Sequence, residues 1–119
     1  MLNLDTHILL FALEGKLRPR ERAVLAGERW GISDIVLWEI TKLRQNGRID
    51  LGLDSPVLAR AVKRLVIWPI DQKVCRAMLS LDFSSDPADE LIAATSLAHG
   101  VPLLTRDQKI RKSKLLALV

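Results

Sequence analysis

Short runs rich in apolar and β-branched residues alternate with helix-forming segments along the whole chain, and this alternation restricts the fold more than any other feature. Leu2 to Asp5, Trp30 to Ser33, Val66 to Ile70 and Val101 to Thr105 read as strands. Pro69 implies that its strand lies near an edge or ends there. Thr6 to Leu13 reads as a helix stopped by Gly15, and Pro19 to Ala26 as a second short helix. Ser33 has the chemistry to cap a helix reaching Gln45, in which Val36, Ile40 and Leu43 recur at helical spacing. Asp54-Ser55-Pro56 opens a helix ending near Leu65, and Asp71 caps one carrying Val74, Met78 and Leu79. The strongest helix start is Asp86-Pro87-Ala88-Asp89, with Asp86 as the cap; that helix runs to His99 and stops at Gly100. Leu115 to Val119 reads as a last short strand. Strands alternating with helices predict an α/β fold, a central mostly parallel sheet with helices on both faces.

Composition decides which classes remain open. A hydrophobic share of 49% and a mean hydropathy of +0.15 supply one core and argue against disorder, so residues 1–119 are expected to form a single domain. No apolar run approaches the ~20 residues of a membrane helix, and the N-terminus has no basic segment ahead of an apolar one. Cys75 is the only cysteine, which excludes an internal disulfide and a cysteine-based metal site. In the pattern Val74-Cys75, Met78-Leu79 it reads as core. A reducing, cytoplasmic setting with no membrane partner follows as the expectation. The net charge of +4 suits a polyanionic partner.

Ligands of parallel α/β sheets bind at the carboxyl ends of the strands. Asp5 stands at such an end, and Asp107 just past another. Glu39 lies in the helix that follows the strand ending at Ser33, and Asp89 in the first turn of a helix that feeds a strand. All four positions can face one rim. Acids gathered there repel each other unless they take up protons or share a cation. A hard divalent ion such as Mg²⁺ takes oxygen ligands and suits phosphodiester hydrolysis. Each acid also has an ordinary explanation: Asp5 as a turn residue beside an N-cap Thr6, Asp89 as a complement to the helix dipole, Asp107 as the next helix's cap. Glu39 is harder to dismiss, because it lies beside Val36, Ile40 and Leu43 near the inward face of its helix.

Four stretches, in order, resemble one family. Leu4-Asp5-Thr6-His7 resembles the Leu-Asp-Thr-His or Leu-Asp-Thr-Asn opening of the PIN-domain nucleases, and among them of the VapC-type toxins of toxin–antitoxin pairs. Ile32-Ser33 followed by Trp38-Glu39-Ile40 is similar to that family's Ser-then-Glu helix. The run Asp86-Pro87-Ala88-Asp89-Glu90-Leu91-Ile92-Ala93-Ala94-Thr95 is similar to its most specific motif, and Leu103-Leu104-Thr105-Arg106-Asp107 to its closing strand and acid. The resemblance implies a PIN-like three-layer α/β/α sandwich. It implies Asp5, Glu39, Asp89 and Asp107 as catalytic, metal-binding acids for Mg²⁺ or Mn²⁺, with Thr105 orienting an acid or a water and Thr6 and Ser33 in similar supporting work. It also implies RNA cleavage, a homodimer, and inhibition by a VapB-like antitoxin.

Basic residues form three clusters: Arg18, Arg20 and Arg22; Lys42, Arg44 and Arg48; and Lys109, Arg111, Lys112 and Lys114. The second and third begin near the expected rim, so Lys42, Arg44, Arg48, Lys109 and Arg111 are the expected RNA contacts. Lys63 and Arg64 read as plain surface. Trp68 reads as core; for Trp38 lining the site and packing in the core both stand open, and for Trp30 stacking on a base. His7 has no partner at metal-ligand spacing and reads as packed or hydrogen-bonded. No Walker-type or dinucleotide-binding glycine motif occurs. Two other readings compete with the ribonuclease. One is a non-catalytic RNA-binding PIN module. The other is a phospho-acceptor signalling domain, against which stands the lack of a convincing strand-end lysine.

Overall fold

Residues 1–119 are described by a computed structural model. The elements run β1 (Leu2–Leu4), α1 (Thr6–Glu14), α2 (Pro19–Leu25), β2 (Trp30–Ser33), α3 (Ile35–Gln45), α4 (Pro56–Arg64), β3 (Val66–Trp68), α5 (Gln72–Met78), α6 (Pro87–His99), β4 (Leu103–Leu104) and α7 (Gln108–Arg111). The four strands form one sheet in the order β3-β2-β1-β4, and every pairing is parallel. β3 is an edge strand and also ends just before Pro69, so both outcomes that the proline implied are met. No helix is long and apolar enough to cross a membrane.

Strand alternation sorts the two faces. On β1, Asn3 points to α6, where its Nδ2 donates to the Ile92 carbonyl (3.0 Å) and to Ser96 Oγ (2.9 Å). Leu2 and Leu4 therefore point the other way, and Leu2 lies beside Trp30 of β2. Trp30 shares a cavity with Leu9 and Leu13 of α1 and with Ala61 and Leu65 in and after α4. Helices thus cover both faces. One cluster of sixteen buried side chains, among them Leu4, Ile8, Ile32, Val36, Ile40, Ile92 and Leu104, forms the core. Gly15 and Gly100 end α1 and α6 in the left-handed region, at φ 70° and 63°, where glycine carries no Cβ penalty.

On the α6 face, Gly31 of β2 lies under the ring of Trp68, which stacks on His99 with centroids 5.4 Å apart. A Cβ at Gly31 would meet two Trp68 ring carbons at 2.5 Å. Gly31→Ala is therefore expected to push Trp68 off His99 and cost about 1–3 kcal/mol through overpacking. Urea denaturation followed by tryptophan fluorescence measures this, and an unchanged midpoint would show that the ring has room to move.

The structure departs from the sequence reading at identifiable places. Leu115 to Val119 is not a strand. Leu118 forms a lone parallel bridge to Leu103, closed by Leu103 N to the Ala117 carbonyl (2.8 Å) and Val119 N to the Leu103 carbonyl (3.2 Å). The strand read over Val101 to Thr105 shrinks to Leu103–Leu104, because Pro102 has no N–H for the ladder. Cys75 is exposed rather than core, and Leu79 is 88% exposed. The seven-residue α5 fully buries only Val74, and Leu79 falls past its end. Ser33 does not occupy the N-cap of α3. Asp34 does, while Ser33 Oγ accepts from Ile35 N at 3.3 Å. Asp86 takes the cap of α6 as expected, but its side chain makes no capping hydrogen bond.

Candidate metal centre

The acids arrive at the rim by separate routes. Asp5 follows β1 directly and caps α1, its Oδ1 accepting from Thr6 N at 2.8 Å. Its Oδ2 accepts from Thr105 Oγ1 at 2.6 Å, just beyond β4. The same hydroxyl accepts from Asp107 N at 3.0 Å, so one threonine links two of the acids. Thr6 Oγ1 donates to Glu39 Oε1, which ties α1 to α3. Asp89, in the first turn of α6, accepts from Ser85 Oγ at 2.9 Å. Asp107 caps α7, its Oδ1 accepting from Ile110 N at 3.1 Å, so the ordinary role weighed for it is real. Asn3 contributes at one remove: by fastening β1 to α6 it fixes Asp5, two residues on, relative to the helix that carries Asp89.

These carboxylates sense each other. The Asp5 carboxyl is raised above the ordinary aspartate range, chiefly by burial, with Asp107 adding to the rise and the Thr105 and Thr6 hydrogen bonds opposing it. Glu39 is raised by burial and by the charges of Asp5 and Asp89, against the Thr6 hydrogen bond. Asp89 is raised by burial and by Asp5, Asp107 and Asp86, against Ser85. Three acids on one rim are thus costly to ionise, and a bound cation relieves that cost. The side chains nevertheless do not form a chelate as they stand: no three Asp, Glu, His or Cys groups are close enough to hold one ion together. Mg²⁺ keeps several waters and takes only one or two carboxylates directly. Glu39 Oε2, Asp89 Oδ1 and Asp107 Oδ2 accept no protein hydrogen bond. The all-oxygen donor set therefore fits an ion held partly through water.

Of the supporting residues expected from the sequence, Thr6 and Thr105 bond to acids, whereas Ser33 turns to the start of α3. His7 is exposed rather than packed, with its ring 6.3 Å from Phe11, and its charge acts on Asp5 and Glu39. Trp38 is 55% exposed, which removes it from the core, while Trp30 is half-buried and donates from Nε1 to the Leu25 carbonyl. Arg44 is ~7.5 Å further along the axis of α3 than Glu39, and Arg48 lies past the end of that helix. Arg44 donates to the Asp50 carbonyl at 2.7 Å, and Lys42 and Arg48 are exposed. Lys109 is exposed, but Arg111 is half-buried and donates to the carbonyls of Thr105 and Val119, both at 3.1 Å. Sequence reasoning missed Ser85, whose only signal is its place four residues before Asp89. It also missed the pair of Arg106 with the buried Glu21, 85 residues apart, which leaves no local pattern. The cavity of about 430 Å³ under Trp30 lies at the start of β2, away from the acids.

The sequence pattern of the PIN domain family matches residues 3–114. The ribonuclease VapC22 of Mycobacterium tuberculosis (strain ATCC 25618 / H37Rv) is 31% identical over 99 residues, which covers 78% of this chain and 74% of VapC22. VapBC2 from Rickettsia felis, solved bound to a DNA fragment from its promoter, superposes with a TM-score of 0.76 at 22% identity, over 100% of this chain and 98% of that one. A toxin–antitoxin complex from Klebsiella pneumoniae gives 0.73 at 20% identity, over 100% and 96%. FitAcB from Neisseria gonorrhoeae gives 0.68 at 23% identity, over 99% and 96%. At these identities the structural likeness is one of fold, and the family follows from the sequence match: this chain belongs to the PIN domain family.

Proposed function

We propose that this chain is a divalent-metal-dependent endoribonuclease, the toxin of a VapBC-like pair, in which Asp5, Glu39, Asp89 and Asp107 form the metal-binding, catalytic acid group. The observation that carries the reading is the shared electrostatics of these acids at one rim, in a chain 31% identical to a ribonuclease. When bound there, Mg²⁺ or Mn²⁺ neutralises phosphate charge and acidifies water. The chain's own residues do the rest. Thr105 bonds both Asp5 and the Asp107 backbone, Thr6 steers Glu39, and Ser85 steers Asp89, which leaves Glu39 Oε2, Asp89 Oδ1 and Asp107 Oδ2 without a protein donor. The partners follow the family: an RNA substrate, a VapB-like antitoxin that blocks the toxin, and a second copy of the chain in a homodimer, working in the cytoplasm.

Incubating the purified chain with single-stranded RNA tests this directly. Cleavage is expected with Mg²⁺ or Mn²⁺, none with EDTA, and recovery when metal is returned. A second reading, a non-catalytic RNA-binding PIN module, is favoured by the lack of any three acids in chelating reach. It is distinguished by RNA binding without cleavage in either metal.

A further inference from the structure

Two basic clusters that are far apart in sequence meet in space. Arg18 and Arg20 at the start of α2 and Arg106, Gln108 and Arg111 around α7 line one cavity of about 240 Å³, together with Glu21. Four arginines face a single acid. That acid is already engaged: its Oε1 and Oε2 accept from Arg106 Nη2 and Nε, both at 2.7 Å, and Oε1 also accepts from Arg18 N at 2.7 Å. The Arg106 hydrogen bonds hold the Glu21 carboxyl down at about 2, with the Arg18 backbone and charge adding to the effect, so one ionised acid stands against four arginines. Arg18 and Arg20 belong to no ion pair.

Two of the arginines are anchored. The Arg106 guanidinium sits 4.0 Å above the Phe11 ring centre in addition to its hold on Glu21. Arg111 is fixed through Nη1 to two carbonyls, and its Nε and Nη2 have no protein acceptor. Arg18 and Arg20 are exposed and free to close over an anion. The cavity is smaller than the ~300–1,000 Å³ typical of small-molecule sites. Leu104 is its only apolar lining residue and no aromatic ring borders it, so it offers a base nothing to stack on. Thr105 lines it too, and the Thr105 hydroxyl is bonded to Asp5 and Asp107. The cavity is thus one side chain away from the acids.

We propose that this cavity seats a backbone phosphate of single-stranded RNA adjacent to the one hydrolysed, with Arg18, Arg20 and Arg111 supplying the charge and Arg106 the fixed wall. This rests on the ribonuclease reading and deepens it. The subsite contributes affinity without base preference, because phosphates carry no sequence.

The test reads binding, so it does not depend on cleavage. A fluorescein-labelled oligouridylate of about a dozen nucleotides is titrated by anisotropy in EDTA across KCl from about 50 to 200 mM. The variants are Arg18→Gln/Arg20→Gln and, as a control of equal charge change, Lys63→Gln/Arg64→Gln. Each phosphate contact on a single strand adds ~0.7 to the slope of log affinity against log salt. Loss of the one phosphate held by the Arg18/Arg20 pair is expected to lower that slope by about 0.7 and affinity at 0.1 M salt by about fivefold, and the control pair to leave both in place. Equal losses in the two variants, or none in either, would refute the subsite. Inorganic phosphate distinguishes a small-anion site: if it shifts the Arg111 Nε–Hε resonance while the RNA slope of Arg18→Gln/Arg20→Gln stays at wild type, the cavity does not serve RNA. A chain that shows the expected slopes but cuts nothing in any metal overturns the nuclease reading and leaves the phosphate subsite standing.

Discussion

Asp89→Asn is expected to cut RNA at no more than about a thousandth of the wild-type rate while folding more stably than wild type without metal. The two effects share a cause. The Asp89 carboxyl is raised by burial and by Asp5, Asp107 and Asp86, so its charge is unfavourable in the metal-free fold. Asparagine keeps an oxygen for Ser85 Oγ and removes that charge. Asp5→Asn is expected to lose activity to the same degree but to lose stability as well. Asp5 accepts on both oxygens, from Thr6 N and from Thr105 Oγ1. The Thr105 hydroxyl already accepts from Asp107 N, so its proton needs an acceptor at Asp5. An asparagine satisfies one of these donors and turns an NH₂ towards the other, a loss of about 1–3 kcal/mol in a buried network. The pair is measured by cleavage kinetics and thermal melts in EDTA. Asp89→Asn within tenfold of wild-type activity would remove Asp89 from the acid group. A melt that moves the same way in both variants would undo the account of what each carboxylate touches.

The acids and their elements were readable in the sequence because each sits at a local signal. Asp5 closes an apolar run before a helix, Asp89 lies in the first turn after Asp86-Pro87, and Asp107 follows Leu103-Leu104-Thr105. The parallel sheet followed from the alternation of strands and helices, and its edge from the missing N–H of Pro69. Features set by tertiary contact were not readable. Asn3 looks like any polar strand residue until α6 is packed over it, and Glu21 like any charge on a short helix until Arg106 arrives from 85 residues away. Sequence proximity to Glu39 suggested that Arg44 and Arg48 sit near the rim, and it gave no sign that Arg44 engages Asp50. Sequence distance hid the converse, the approach of Arg18 and Arg20 to Arg111. The short α5 shows a third limit, since apolar residues at helical spacing do not bury Cys75 or Leu79 when the helix makes only two turns.

Stability as a function of pH is expected to depend on whether a divalent cation is present. Asp5, Glu39 and Asp89 all bind protons more tightly folded than unfolded, since their carboxyls are raised above 3.8 for aspartate and 4.5 for glutamate. Their contribution is therefore fully present below those unfolded values and is lost as pH rises through the raised folded ones. Glu21 works in the opposite sense. Lowered to about 2 by Arg106, it contributes stability above its unfolded value of 4.5 that disappears as pH falls towards 2. In EDTA the melting temperature is thus expected to climb from pH 2 to about 4.5 and then to fall towards neutrality. Saturating Mg²⁺ binds the ionised acids and lowers their folded proton affinity, which flattens the neutral side of the curve and leaves the acid side unchanged. In Asp89→Asn the EDTA curve falls less and Mg²⁺ restores less, because one of the three raised carboxyls is gone. Melts recorded across this range decide it. Superimposable curves in EDTA and Mg²⁺ would mean that the cation does not meet these acids, whatever else the chain does to RNA.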